Sequence, residues 1–105
     1  MKARLPRWSK RFQKDHGSVW RAFQKLGEEC HRAGPLDART RRLVKVGIAT
    51  ASGSEGAVHS AVRNALAEGV SPEEIRHAIL LSITTIGFPN GQAALSWAEE
   101  VIRRK

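Results

Sequence analysis

The sequence has one cysteine, Cys30, which excludes an internal disulfide and any Cys-x-x-Cys redox pair. It also lacks the run of about 18 apolar residues that a membrane-spanning helix requires. The basic N-terminus, MKARLPRWSKRF, has no apolar stretch of the signal-peptide kind, so we expect a cytoplasmic protein with no membrane partner. No segment alternates apolar and polar residues as a half-buried strand does, and no internal repeat is present. Zinc-ligand spacing, an RNA-binding aromatic signature and a Gly-rich nucleic-acid loop are absent too. These absences leave an all-α protein whose 105 residues suffice for one domain, a size that gains from oligomerisation.

Charge is distributed unevenly. Residues 1–45 carry 13 Lys/Arg against 4 Asp/Glu, a balance of +9, whereas residues 46–105 carry 5 against 6, a balance of −1. The basic residues are densest at Lys2, Arg4, Arg7, Lys10, Arg11 and Lys14. Such a patch fits a nucleic-acid-associated module, but a solvated helix surface explains it with fewer assumptions. We therefore divide the chain into a basic arm or short helix (1–17) and a helical domain (18–105).

The centre of the chain is Ser52 to Pro89. Val58, Ala61, Val62, Ala65 and Leu66 recur at the spacing of one buried helical face. Gly69 ends that helix, and Ser71-Pro72-Glu73-Glu74 opens the next with a cap, a proline at the first helical position and a capping box. The segment Ile75–Ile86 is apolar around much of its circumference, which predicts burial on several sides. Upstream, Val19, Trp20, Phe23, Leu26, Gly27 and Cys30 share a face of a helix reaching about Arg32, and there a buried, unreactive thiol is expected. Asp37 is placed to cap a helix whose stripe is Thr40, Leu43, Val44, Gly47, Ile48 and Ala51, with Gly47 suggesting a close helix approach. A last helix runs from about Gly91 to Arg103, with Ala94, Trp97, Ala98 and Val101 inward.

Chemistry is sparse. Glu55 and His59 lie four residues apart, so a helix puts them on one face, where the carboxylate can orient the imidazole as an acid/base group. The same residues have a plainer explanation. Glu55 can complete a Ser52-x-x-Glu55 capping box, and Glu55–His59–Arg63 can be a surface ion ladder. His77 follows Glu73 by the same step, and Arg42, like Arg63, can hold an anionic ligand.

The order Ala65-Leu66-Ala67-Glu68-Gly69-Val70-Ser71-Pro72-Glu73-Glu74-Ile75, then a long apolar helix, then Gly87-Phe88-Pro89, resembles the carboxymuconolactone decarboxylase family, which includes the alkylhydroperoxidase D-like proteins. Leu36 to Leu43 resembles the family's helix entry, and the likeness spans about residues 20–102. The resemblance implies a bundle of five or six helices that assembles as a trimer, a hexamer or a ring of dimers, with sites near subunit contacts. No metal and no cofactor are expected. Peroxidase-type members carry Cys-x-x-Cys-x-x-x-His, and these positions fall on Ser54, Ala57 and Ala61. Their relay glutamate falls on about Arg42. Dithiol peroxidase chemistry has no nucleophile here. Decarboxylase-type members place a histidine at the position of Ala61, so His59 is displaced by two residues, about 200° around a helix. The functional expectation is acid/base chemistry, decarboxylation or proton transfer, on a small carboxylate or lactone. His59 is the acid/base, Glu55 its orienting group, and Arg42, Arg63 and His77 the ligand-holding residues. The alternatives are a non-catalytic oligomeric scaffold of the same fold and a basic nucleic-acid module.

Overall fold

The computed structural model describes residues 7–104. Lys2 and Arg4 of the basic patch lie outside the described residues. Six helices follow in order: α1 (Arg7–Asp15), α2 (Gly17–Arg32), α3 (Ala38–Ser52), α4 (Glu55–Ala67), α5 (Pro72–Ile86) and α6 (Phe88–Ile102). No strand occurs among the described residues. The helices form two compact units, one of α1 and α2 and one of α3 to α6.

In the first unit the break falls at His16, whose backbone (φ −134°, ψ 52°) leaves the helical region. The aromatic rings form a row across it. Phe12 lies 5.1 Å from His16 and 6.3 Å from Trp20, and Trp20 lies 6.0 Å from Phe23, centroid to centroid. The apolar face of α2 is where the sequence puts it, but it is not covered. The helix has no buried residue, Val19, Phe23 and Leu26 are exposed, and Cys30 is exposed where burial was expected.

The second unit is a four-sided bundle. Helix α3 packs on α4 and α5, α6 also packs on α4 and α5, and the pairs α3/α6 and α4/α5 lie across its diagonals. Local chemistry sets the helix ends. Asp37 accepts a hydrogen bond from the Thr40 amide at 2.8 Å, and this bond holds the Asp37 carboxyl below its usual pKa. Helix α4 is capped by Ser54, which accepts from the Ala57 amide, so the Ser52–Glu55 box does not form. At its far end Gly69 adopts φ 89°, and the Val70 and Gly69 amides donate to the Ala65 and Leu66 carbonyls, both bonds of a Schellman turn. Ser71 and Glu74 make the reciprocal capping box, and Glu74 also accepts from Arg39 of α3. The Ser71 amide and hydroxyl, followed by Arg39, hold the Glu74 carboxyl below its usual pKa.

Facing pairs give the helix directions. Arg39 at the start of α3 meets Glu74 at the start of α5, and Arg42 near the start of α3 meets Glu68 at the end of α4. Helices α3 and α5 therefore run the same way and α4 runs against α3. Arg76 of α5 clamps Glu99 of α6 through Nε at 2.6 Å and Nη2 at 3.0 Å, which makes α5 and α6 an antiparallel pair about Gly87. This clamp is the leading reason the Glu99 carboxyl is held below its usual pKa and the Arg76 guanidinium above its own.

The core is built of Val46 and Ala49 (α3), Val58, Val62 and Ala65 (α4), Val70 in the turn that follows, Ile75 and Ile79 (α5), and Ala94, Ala98, Val101 and Ile102 (α6). Two expectations fail here. The α3 stripe is rotated: Val46, Ala49 and Thr50 are inside, whereas Val44, Ile48 and Ala51 are exposed. Apolar residues stand on both sides of α3, so periodicity does not choose between them. Helix α5 buries Ile75 and Ile79 but exposes Leu80 and Leu81, so within one chain it is covered on one side, and α6 is the more deeply buried helix. The close approach lies at Gly91, where an added Cβ would collide with Cγ1 of Ile83, while a Cβ on Gly47 would meet nothing within 4 Å.

These two helical glycines should respond oppositely to alanine. Gly47→Ala should raise unfolding stability by about 0.5–1 kcal/mol through helix propensity and unfolded-state entropy. Gly91→Ala should lower it by about 1–3 kcal/mol through overpacking, and by less in an Ile83→Ala background. Urea unfolding of the four variants measures both.

Candidate functional site

The site forms where α4 and α6 face each other. Ser54 starts α4 so that Glu55 occupies its first turn and His59 the next, four residues on and on the same face. Helix α6 brings Glu100 to that face. His59 Nε2 lies 2.8 Å from Glu100 Oε1 and 3.9 Å from Glu55 Oε2. An ionised carboxylate only accepts, so Nε2 donates to Glu100, and Nδ1 is the nitrogen left to take up a proton. The imidazole is mostly covered (18% exposed), while the Glu55 and Glu100 side chains are about half exposed (57% and 49%). The arrangement is thus a sheltered imidazole under two carboxylates that reach water.

Arg63 continues the row one turn beyond His59 and is half-buried. Burial, and secondarily the charge of Arg104 at the end of α6, holds its guanidinium below the usual pKa. Arg63 facing Arg104 and His59 facing Glu100 advance together, so α4 and α6 run in the same direction.

The other sequence-predicted residues stand elsewhere. Arg42 Nε lies 3.6 Å from Glu68 Oε1, within ion-pair range but too long for a hydrogen bond, and this buried nitrogen has no hydrogen-bond partner. Glu68 is nine positions after His59, about 13 Å along α4. His77 lies on the exposed side of α5, diagonally across the bundle from α4. The chain therefore brings Glu55 and His59 together, keeps Arg63 beside them, and separates Arg42 and His77 from them. Sequence reasoning missed Glu100, which lies 41 residues from His59 with no local spacing to link them.

The family model for the carboxymuconolactone decarboxylase family matches residues 18–100, most of the chain. The chain belongs to the carboxymuconolactone decarboxylase family. No curated protein and no solved structure matches it. As a member of this family it has no Cys-x-x-Cys pair, and its one cysteine lies on α2 and not on α4. The match begins at residue 18, so α2 belongs to the family's sequence pattern although it buries nothing in its own chain.

The geometry predicts unequal histidine reactivity. Limited treatment with diethyl pyrocarbonate, read by peptide mass mapping, should modify exposed His77 well before His59. Glu100→Gln should bring the two rates closer together.

Proposed function

We propose that this member of the carboxymuconolactone decarboxylase family carries out cofactor-free acid/base chemistry on a small carboxylate or lactone, with His59 as the acid/base. The observation that carries the reading is the 2.8 Å bond from His59 Nε2 to Glu100 beside Glu55, which orients the ring and leaves Nδ1 as the nitrogen that exchanges a proton. Glu55 and Glu100 orient the ring. In a decarboxylation, carbon dioxide leaves with cleavage of the carbon–carbon bond, and the electron pair passes into the adjacent carbonyl system. The imidazolium then delivers a proton to carbon and recovers one from solvent. Arg63, which has no carboxylate partner among the described residues, is better placed than Arg42 or His77 to hold the substrate's anionic group. Thiol-dependent peroxidase activity is not part of this proposal, since Cys30 stands alone.

The test is a panel of carboxylated lactones and β-keto acids followed by carbon dioxide release and by deuterium uptake at carbon. Turnover should fall by about 100-fold or more in His59→Ala, the range of a lost general acid/base, and by less in Glu55→Gln. Turnover unaffected by His59→Ala removes the reading. A complete lack of turnover across the panel favours the non-catalytic alternative, in which the same cluster only ties α6 to α4.

We further propose a closed homo-oligomer, a trimer or hexamer, acting in the cytoplasm. Val44 and Ile48 on α3, Leu80 and Leu81 on α5, and Phe88 at the start of α6 are all exposed, and monomers rarely leave so many large apolar groups in water. Light scattering at micromolar concentration should give a mass of at least three chains. Ile48→Glu and Leu81→Glu should shift it toward the monomer.

A further inference from the structure

Seven carboxylates lie in the α3–α6 unit. Five are matched by a cation or by a helix cap: Asp37 by the Thr40 amide, Glu68 by Arg42, Glu73 by Arg76, Glu74 by Ser71 and Arg39, and Glu99 by Arg76 and Arg103. Glu55 and Glu100 are different. Neither has an arginine or lysine within ion-pair distance among the described residues, and they converge on one imidazole. The contrast is sharp in a chain with 18 basic and 10 acidic residues. Glu55 gains from its place in the first turn of α4. Glu100 sits in the last turn of α6, where the helix dipole disfavours a carboxylate. The two carboxylate charges are balanced by one doubly charged cation.

We propose that Glu55, His59 and Glu100 form a binding site for a divalent transition-metal ion of the zinc class. One donor atom from each residue lies within 4.8 Å of the other two. Metal–nitrogen and metal–oxygen bonds of about 2.0–2.2 Å at tetrahedral or octahedral angles put donor atoms roughly 3.0–3.5 Å apart. The pair Nε2–Glu100 Oε1, at 2.8 Å, is already near that spacing. The pair Nε2–Glu55 Oε2, at 3.9 Å, reaches it by a small rotation of the exposed Glu55 side chain. An imidazole with two carboxylates suits zinc, manganese or cobalt better than calcium or magnesium, which take oxygen ligands. Three protein ligands leave a coordination position for water. The ion takes the place of the Nε2 proton: a singly protonated ring shifts that proton to Nδ1, and a doubly protonated ring releases it and keeps the one on Nδ1. A loaded site therefore takes the imidazole out of the proton transfer proposed above, and metal occupancy acts as a switch on it. Binding is measured without turnover, so a failure of either proposal is seen separately.

The experiment uses the full chain with Cys30→Ser, which removes the exposed thiol as a competing ligand. Chelator-treated protein is titrated with zinc chloride by calorimetry near neutral pH. About one ion per chain is expected, with an observed heat that varies with the ionisation heat of the buffer that takes up the displaced protons. His59→Ala, Glu100→Gln and Glu55→Gln should each weaken binding about tenfold or more, while His77→Ala leaves it unchanged. The two glutamine variants alter half-exposed side chains, and circular dichroism checks that they remain folded. Absence of binding overturns the proposal. So does binding that survives His59→Ala, or binding that depends on His59 but on neither glutamate.

Discussion

Helix α6 is held in the bundle by two adjacent carboxylates that point to different neighbours. Successive residues on a helix diverge by about 100°, so Glu99 reaches α5 and Glu100 reaches α4. Glu99 takes the Arg76 fork on one side, and Glu100 takes the His59 imidazole on the other. The register that makes both reaches possible is set lower down, where Gly91 lets α6 lie against Ile83. A one-residue slip of α6 would turn both carboxylates away from their partners. The position of the histidine cluster therefore depends on a packing contact two to three turns away from it.

The core that supports this register is made of small side chains. Valine and alanine predominate, and Ile75 and Ile79 are its largest fully buried residues. Such a core permits close helix approach but gives little volume per residue. The larger apolar groups, Ile48, Leu81 and Phe88 among them, lie outside. Within the α3–α6 unit, four helices do not cover all the apolar surface that they carry. Self-association, as proposed, resolves that imbalance without enlarging the core.

The same physics separates His59 from His77. Both follow a glutamate by four residues on a helix, so sequence treats them alike. His59 is sheltered because α6 crosses beside it and brings a second acid, whereas His77 sits on the side of α5 that no helix of the bundle covers. Their chemistry diverges through what packs against them, since their own neighbours in sequence are equivalent.

Sequence alone determined the features that depend on near neighbours. These are the helical class, the Asp37 cap, the Ser71–Glu74 box, the Gly69 turn and the pairing of Glu55 with His59, all settled within about four residues of chain. The family was legible for a related reason, because the order of turn and cap signals is itself local. Tertiary structure decided which face of α3 turns inward, that Cys30 and the α2 face stay exposed, that Gly91 and not Gly47 marks the close approach, and that Glu100 joins His59. Each of these depends on residues tens of positions apart, or on which of two apolar faces finds a partner. Periodicity states that a face exists, and only packing chooses what covers it.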